Sequence, residues 1–292
     1  MLENFKKISV IAAALILLVI ISYFYPTNSD HGGEKPVVLP GDVMYSGYVG
    51  HAFVSPGTQI EFRFLWAEKN PSPGYSLHVR GIPEGIDWST KVFETPCPNE
   101  LKGMKCRHIY LFITPKAPGK YNLSGVKLYI TTNGGNVSGT LGNVSMVVGD
   151  GKFRNVTTVY FPYAGSILDR NISPGDEFMY YVVLKNRGLE NLTISGINIG
   201  CSFFAVESVY YQEVPSNASP EEINDIPNMS KAMKFPKGGL LLKPGETVAI
   251  MVPLKARVTS RYAIIAPEIY VMDKKGTIHS VPGIPYYILG DG

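Results

Sequence analysis

The chain has little charge and lacks a basic stripe. Asp, Glu, Lys and Arg make up 17% of its 292 residues, and the net charge is +3. The lysines and arginines occur singly or in pairs, whereas nucleic-acid-binding surfaces concentrate them on one face. We therefore predict no nucleic-acid partner.

The chain also lacks the motifs that carry catalysis or bind metals. Its five histidines are far apart, and none has His-x-His or His-Glu-x-x-His spacing. There is no Gly-x-Ser-x-Gly elbow, no Gly-rich phosphate loop and no zinc-type pair of cysteines. Ser124 and Lys127 have a Ser-Lys spacing, but in a strand their side chains point to opposite faces. We predict no enzyme activity, no catalytic residue, no cofactor and no metal site.

Only one long apolar run is present, at residues 8–24. As a helix it would reach about 25 Å, just enough to cross a bilayer core. Two lysines precede it and an aromatic cluster ends it, which favours a cytoplasmic N-terminus and an extracellular remainder. The predicted segments are a cytoplasmic basic flank at 1–7, a transmembrane signal anchor at 8–25 and a linker at 26–36. The alternatives are a cleaved signal peptide and a pilin-like helix packed in a filament.

Glycine (30), proline (22) and tyrosine (18) are plentiful, and beyond the apolar run no segment keeps a 3.6-residue apolar period. This composition is typical of an all-β protein with many turns. Two strands with period-two alternation follow Pro-Gly turns at 56–57 and 174–175. Their predicted inward residues are Phe62, Phe64 and Trp66 in one strand, and Phe178, Tyr180 and Val182 in the other.

Two parts of the chain resemble each other. Residues 121–151 align without gaps with residues 262–292, and both segments finish in Gly-Asp-Gly. Short strands at about 8–12-residue spacing are typical of antiparallel β-sandwiches. We therefore predict two tandem sandwiches, at 37–151 and 152–292, with a loop insertion at 205–237 in the second.

Asparagine is concentrated in N-glycosylation sequons. Eight of the 16 asparagines begin an Asn-x-Ser/Thr sequence, and none of these precedes residue 26, in agreement with an exterior location. Glutamine is scarce, and its loss beside retained sequon asparagines indicates a thermophilic, glycosylating archaeon. The alternative is that Asn and Ser or Thr merely share turns. The predicted sites are Asn122, Asn136, Asn143, Asn155, Asn171, Asn191, Asn217 and Asn228.

Three cysteines are present. Cys97 and Cys106 flank a short loop, and closing such a ring stabilises a protein by about 2–3 kcal/mol in the chain-entropy model. Because disulfides persist outside the cell, we predict one here. The alternatives are free thiols and a metal site with His108, although a fourth metal ligand is missing. Cys201 lies in an apolar segment, which predicts a buried thiol in a strand.

The second repeat departs from the first between Phe204 and Lys237. Residues 206–214 predict a strand, and a polar loop with two sequons follows. Long loops in compact domains are commonly functional, so we predict a partner-contact site at Glu221, Glu222 and Asp225. The alternative is a solvated insertion without a role. Calcium binding is disfavoured because the spacing of a calcium loop is missing.

The order of these motifs resembles a known repeat type. Each repeat has a Ser-Pro-Gly turn before its strand, and the second also has Asn186-Arg-Gly188 and Leu242-Lys-Pro-Gly-Glu246. This order is similar to the Ig-like, cell-adhesion-related (CARDB-like) repeats of prokaryotic surface proteins, including archaeal envelope families. The resemblance implies seven-stranded sandwiches that present or space something at the cell surface. It carries over no catalytic residue.

These observations predict a single-pass membrane protein that acts outside the cell as a non-catalytic adhesion, scaffold or partner-binding module. The expected partners are the membrane and a protein or glycan at the cell surface. The alternative is a carbohydrate- or solute-binding surface module, since exposed rings stack on sugars. The tyrosines considered for that role are Tyr210, Tyr211, Tyr286 and Tyr287.

Overall fold

The computed structural model describes residues 41–159, 165–215, 218 and 229–290. The predicted flank, anchor and linker lie outside these residues. The described residues belong to one compact unit, Leu39–Gly292, and they form β-strands with two short 3-10 turns, Asn99–Leu101 and Met229–Lys231. Among them, no helix is long and apolar enough to cross a membrane. For the described residues, the prediction of an all-β fold is confirmed.

Twenty-three strands form within the described residues. In the first repeat, β1–β10 are Val43–Tyr45, Tyr48–Val54, Ile60–Glu68, Tyr75–Arg80, Ile86–Thr95, Lys105–Pro115, Gly119–Asn122, Lys127–Thr132, Gly135–Thr140 and Gly142–Val148. In the second repeat, β11–β23 are Val156–Val159, Gly165–Leu168, Glu177–Asn186, Leu192–Asn198, Phe204–Val206, Tyr210–Val214, Met233–Lys234, Leu240–Leu242, Thr247–Ala256, Tyr262–Ala266, Glu268–Met272, Ile278–Pro282 and Tyr286–Gly290.

These strands are arranged in five sheets, one of which is built from both repeats. This shared sheet has the order β12-β23-β20-β2-β10-β7. The first repeat adds the sheets β1-β3-β6-β5 and β4-β8-β9. The second adds β18-β14-β21-β22 and the sheet β11-β13-β19-β16-β17, in which β15 also pairs with β19. The boundary proposed between residues 151 and 152 stays a prediction.

Three pairings in the shared sheet are parallel, unlike the antiparallel sheets expected from the sequence. Strand β2 runs parallel to both β10 and β20, and β12 runs parallel to β23. Parallel neighbours need a long crossover connection, and the strands paired here are far apart in the chain. Gly50 permits the close approach of β2 to β20, because a Cβ there would lie 1.9 Å from the carbonyl oxygen of Ile264.

The shared sheet separates two hydrophobic cores. Tyr262, Ile264 and Ala266 of β20 pack into the core of the first repeat, whereas Ala263 and Ile265 pack into the core of the second. All five residues of β20 are buried. Alternate residues of a strand point to opposite faces, so this one strand contributes to both cores.

The inward residues predicted for the two long strands are confirmed. Phe62, Phe64 and Trp66 of β3 have no exposed surface and belong to the first core, and Phe178, Tyr180 and Val182 of β13 are buried in the second. The strand predicted around Cys201 is wrong. Cys201 is half-buried between β14 and β15, where Gly200 adopts a φ of +71° and interrupts extended structure. Burial raises the pKa of the Cys201 thiol.

Candidate functional site

The outer face of the sheet β1-β3-β6-β5 carries aromatic side chains. Along β6, Ile109, Leu111 and Ile113 are fully buried, while Tyr110 and Phe112 between them are half-buried on the opposite face. A strand packed on one side only normally places polar residues at such outward positions. We call the set Lys91, Phe93, His108, Tyr110 and Phe112 the aromatic face.

The rings of the aromatic face contact one another. Tyr110 and Phe112 are nearly parallel, with an interplanar angle of 15° and centroids 6.3 Å apart. Phe93 meets the edge of Tyr110 at 5.6 Å and is 54% exposed. His108 contacts Tyr110 at 6.0 Å, and Lys91 Nζ lies 5.6 Å from the centre of the Phe112 ring. The contacts between these rings produce a continuous apolar platform with a cation beside it.

A cleft of about 780 Å³ adjoins this platform. Glu61 and Arg63 of β3 lie in register with Phe112 and Tyr110, so their side chains share the face of those rings. Tyr110, Glu61 and Arg63 form part of one wall. The opposite wall comes from the second repeat and consists of Gly165, Ser166 and Ile167 of β12, residues 282–285, and Tyr287 and Leu289 of β23.

Two tyrosine hydroxyls hold the edge of β3 that borders the cleft. Tyr287 Oη accepts a hydrogen bond from the backbone N–H of Glu61 at 3.2 Å. Tyr48 Oη accepts from the N–H of Arg63 at 2.8 Å and donates to its carbonyl oxygen at 3.1 Å. Burial raises the pKa of the Glu61 carboxyl, while the charge of Arg63 opposes that rise. The cleft therefore combines a partly desolvated acid with a neighbouring guanidinium.

The tyrosines considered for sugar stacking are distributed differently. Tyr286 is buried in the second core, where its hydroxyl hydrogen-bonds Ser166 Oγ at 2.7 Å. Tyr287, the next residue, faces the other way and lines the cleft. Tyr210 and Tyr211 are half-buried, and Tyr211 packs against the second core.

The loop between Cys97 and Cys106 is closed by a disulfide, with Cα atoms 5.2 Å apart. Leu101 in this loop is buried against Leu65 and Ala67 of β3. Glu100 accepts a hydrogen bond from Arg261 at 3.2 Å, immediately before β20 begins. The ring therefore contacts both repeats.

The sequon asparagines that the structure describes all lie on the surface. Asn122, Asn136, Asn143, Asn155, Asn171 and Asn191 are exposed, whereas Asn217 and Asn228 lie outside the described residues. The predicted partner-contact residues Glu221, Glu222 and Asp225 also lie outside them. Within the part of the chain that the structure describes, no group of three or more His, Cys, Asp or Glu residues is placed to hold a metal ion.

One buried ion pair has a structural explanation. Glu68 and Arg107 join β3 to β6 inside the first repeat, and the Arg107 guanidinium lies 4.6 Å from the centre of the Trp66 ring. Glu68 also accepts a hydrogen bond from the N–H of Ser72. Both charges are thus engaged within the fold, away from the cleft.

Sequence reasoning missed the aromatic face and the cleft. A usable signal was present, because His108, Tyr110 and Phe112 alternate with Ile109, Leu111 and Ile113. Aromatic rings at three successive outward positions of a strand are unusual for a solvated face. The cleft left no such signal, since its walls come from both repeats.

No family model and no curated protein sequence matches the chain. Among solved structures, it is similar to a protein of unknown function from Porphyromonas gingivalis W83, with 10% identity and a TM-score of 0.25 over 85% of this chain and 99% of that one. The C-terminal domain of Streptococcus agalactiae BspA matches with 9% identity and a TM-score of 0.23 over 85% and 99%. The C-terminal domain of Streptococcus pyogenes AspA matches with 10% identity and a TM-score of 0.24 over 85% and 99%. At these scores, no property of those proteins is carried over to this chain.

Proposed function

We propose that this protein is a single-pass, membrane-anchored surface protein whose Ig-like repeats form a non-catalytic binding module outside the cell. From its composition, we also propose that it is an archaeal protein. The aromatic face is its contact surface for a glycan-bearing partner at the cell surface. The observation that carries this proposal is the platform of Phe93, Tyr110 and Phe112 on the outer side of a sheet. Aromatic residues are enriched where proteins bind partners.

The distribution of sequons supports the same surface. None of the eight sequons lies between residues 41 and 121, the segment that contains the whole sheet β1-β3-β6-β5. Glycans on the other surfaces would leave the aromatic face uncovered, since bulky sugars block contact where they are attached.

Location is tested first. The full chain, with a C-terminal tag, is produced in cells that N-glycosylate proteins. We expect it to remain in membranes after alkaline carbonate, to be digested by protease added to intact cells, and to lose mass in steps on deglycosylation. A chain found free in the cytosol with reduced thiols and no sugars contradicts the proposal.

Contact is tested by photocrosslinking. The photoreactive amino acid p-benzoylphenylalanine replaces Phe93 in one variant and Ile278 in a control. Ile278 is a matched site because it is an apolar residue, 62% exposed, on a strand of the second repeat. We expect a crosslinked product that carries more glycan than the uncrosslinked chain from position 93 only. Equal yields from both positions argue against the aromatic face as the contact surface.

The second candidate is a carbohydrate- or solute-binding surface module. The observation that favours it is the cleft beside Tyr110, because a concave site with a few polar groups is typical of ligand binding.

A further inference from the structure

The cleft beside the aromatic face has the size and chemistry of a small-ligand site. Its volume is about 780 Å³, and ligand pockets are commonly about 300–1,000 Å³. Tyr110 belongs both to the lining of the cleft and to the aromatic face. A ligand seated in the cleft can therefore extend onto the rings.

The ring platform is suited to a flat apolar surface that carries hydrogens. Tyr110 and Phe112 present ring planes within 15° of each other. The face of an aromatic ring is negative and attracts the positive end of C–H bonds. A sugar ring offers such C–H bonds on its flat faces while its hydroxyls point outward around the rim.

The polar groups of the cleft complement hydroxyls. An ionised Glu61 only accepts hydrogen bonds, the guanidinium of Arg63 only donates them, and the hydroxyl of Tyr287 can do both. The two charges are opposite and adjacent, so the cleft has no net charge to attract an ion. A hydroxyl group can donate to the carboxylate and accept from the guanidinium, so one hydroxyl can bond to both.

We propose that this cleft binds a neutral oligosaccharide, with one sugar ring stacked on Tyr110 and its hydroxyls held by Glu61 and Arg63. The inference rests on the proposed function in one respect, namely that the cleft faces the exterior, where glycans are found. It goes further by naming the ligand class and the residues that recognise it.

The test uses the full chain in phosphatidylcholine nanodiscs, which contain no sugar headgroups. The probes are cellohexaose, mannohexaose and chitohexaose, with anionic hexagalacturonate as the comparator. We expect calorimetry to detect binding of at least one neutral hexasaccharide below about 1 mM and weaker binding of hexagalacturonate.

Variants assign the binding to the ring. Tyr110→Leu removes the ring but keeps an apolar side chain, and we expect affinity to fall about tenfold. Tyr110→Phe keeps the ring and should retain binding within about threefold. Trp88→Leu is the matched control: Trp88 is 46% exposed on β5, in register with Ile113 and so on the opposite face of the sheet. It should leave affinity unchanged.

Several results overturn the proposal. These are the absence of binding by all three neutral probes, equal binding of hexagalacturonate, and a loss in Trp88→Leu as large as in Tyr110→Leu. A polypeptide captured by a photoreactive residue at position 110 also overturns it. Such results would not contradict the membrane location or the Phe93 crosslink, which are measured separately. Conversely, failure of those two tests would not change a measured affinity for a saccharide.

Discussion

Strands β7 and β20 occupy equivalent positions in the two repeats but end up in different surroundings. Each pairs antiparallel with the last strand of its own repeat, β7 with β10 and β20 with β23. In these pairs Asn122 faces Ser145 and Ile264 faces Tyr287. When the two strand pairs are superposed on these registers, Asn122 corresponds to Ile264 and Ser145 to Tyr287. The gapless sequence alignment instead matches Asn122 with Ala263, one residue earlier. The two strands thus hold equivalent places beside the last strand of each repeat, but their side chains differ.

That difference decides where the shared sheet continues. On the edge opposite β23, strand β20 pairs with β2. Tyr262, Ile264 and Ala266 of β20 pack into the first core. The equivalent positions in the first repeat are Lys120 and Asn122 of β7 and Ser124 just after it, all exposed, and β7 is the last strand of the sheet. Charged and polar residues on an edge strand prevent further pairing. A duplicated strand therefore becomes an interior or an edge strand according to its alternate residues.

Exchanging the equivalent residues of the two strands should have the largest effect on stability. Ile264→Asn places a polar amide inside the first core and should lower the free energy of unfolding by about 3–5 kcal/mol. The reciprocal change, Asn122→Ile, alters an exposed residue and should cost under about 0.5 kcal/mol. Urea unfolding of the fragment from residue 39 onward measures both. Equal losses would mean that the two strands are not distinguished by burial.

The disulfide ring lies beside the start of β20, because Glu100 within the ring accepts a hydrogen bond from Arg261. Replacing both cysteines, Cys97→Ala with Cys106→Ala, should lower the free energy of unfolding by about 2–3 kcal/mol. Reduction of the unaltered fragment with dithiothreitol should produce the same loss and should not affect the double variant further. Unchanged stability in both measurements would show that packing of Leu101 alone holds the loop.

Acid should weaken the junction at β2, the strand next to β20. His51 is buried, its Nδ1 lies 2.9 Å from Ser145 Oγ, and burial lowers its pKa below 6.5, with Glu268 partly opposing that shift. Below pH 6.5 the unfolded chain therefore binds a proton that the folded chain does not. The free energy of unfolding thus falls as the pH is lowered, until the pH passes the lower pKa of His51 in the folded chain. His51→Gln should flatten this part of a plot of melting temperature against pH. An unchanged slope would assign the acid effect to other groups.

The smallest change in monomer stability is expected when β7 is made to resemble β20. Lys120→Tyr with Asn122→Ile should alter the free energy of unfolding by under about 0.5 kcal/mol, since both positions are exposed. It should nevertheless allow the open edge to pair with another chain, giving concentration-dependent association in sedimentation velocity. Asn143→Ile is the control, because Asn143 is exposed on the interior strand β10. Association of the control to the same extent would point to general stickiness instead of edge pairing.

Local features of this fold could be predicted from the sequence because they depend on short-range rules. The inward positions of β3 and β13 follow from period-two alternation, and the turns at Gly57 and Gly175 require the positive φ values of +79° and +96° that glycine adopts readily. The pairing of β2 with β20 depends on residues far apart in the chain, so no local pattern revealed it. The run Tyr-Ala-Ile-Ile-Ala of β20 was nevertheless a signal, since continuous apolar runs are typical of strands buried on both faces.

The candidate site divides in the same way. Its aromatic face lies on two neighbouring strands and could be read from alternation along β6. The cleft could not, because Tyr110 and Tyr287 come from different repeats and meet only after the shared sheet forms.

The shared sheet also brings the start of β2 close to the end of β23. Ser260 Oγ donates a hydrogen bond to the carbonyl oxygen of Gly47 at 3.0 Å, and the N–H of Gly290 donates to Arg261, the next residue along, at 2.8 Å. The entry to β2 and the exit from β23 are therefore neighbours. A peptide bridging residue 290 to residue 41, ahead of β1, would yield a circular permutant, with new termini opened at the hairpin between β8 and β9. Such a rewired chain would keep β1 and its pairing with β3 while moving its two ends to that hairpin.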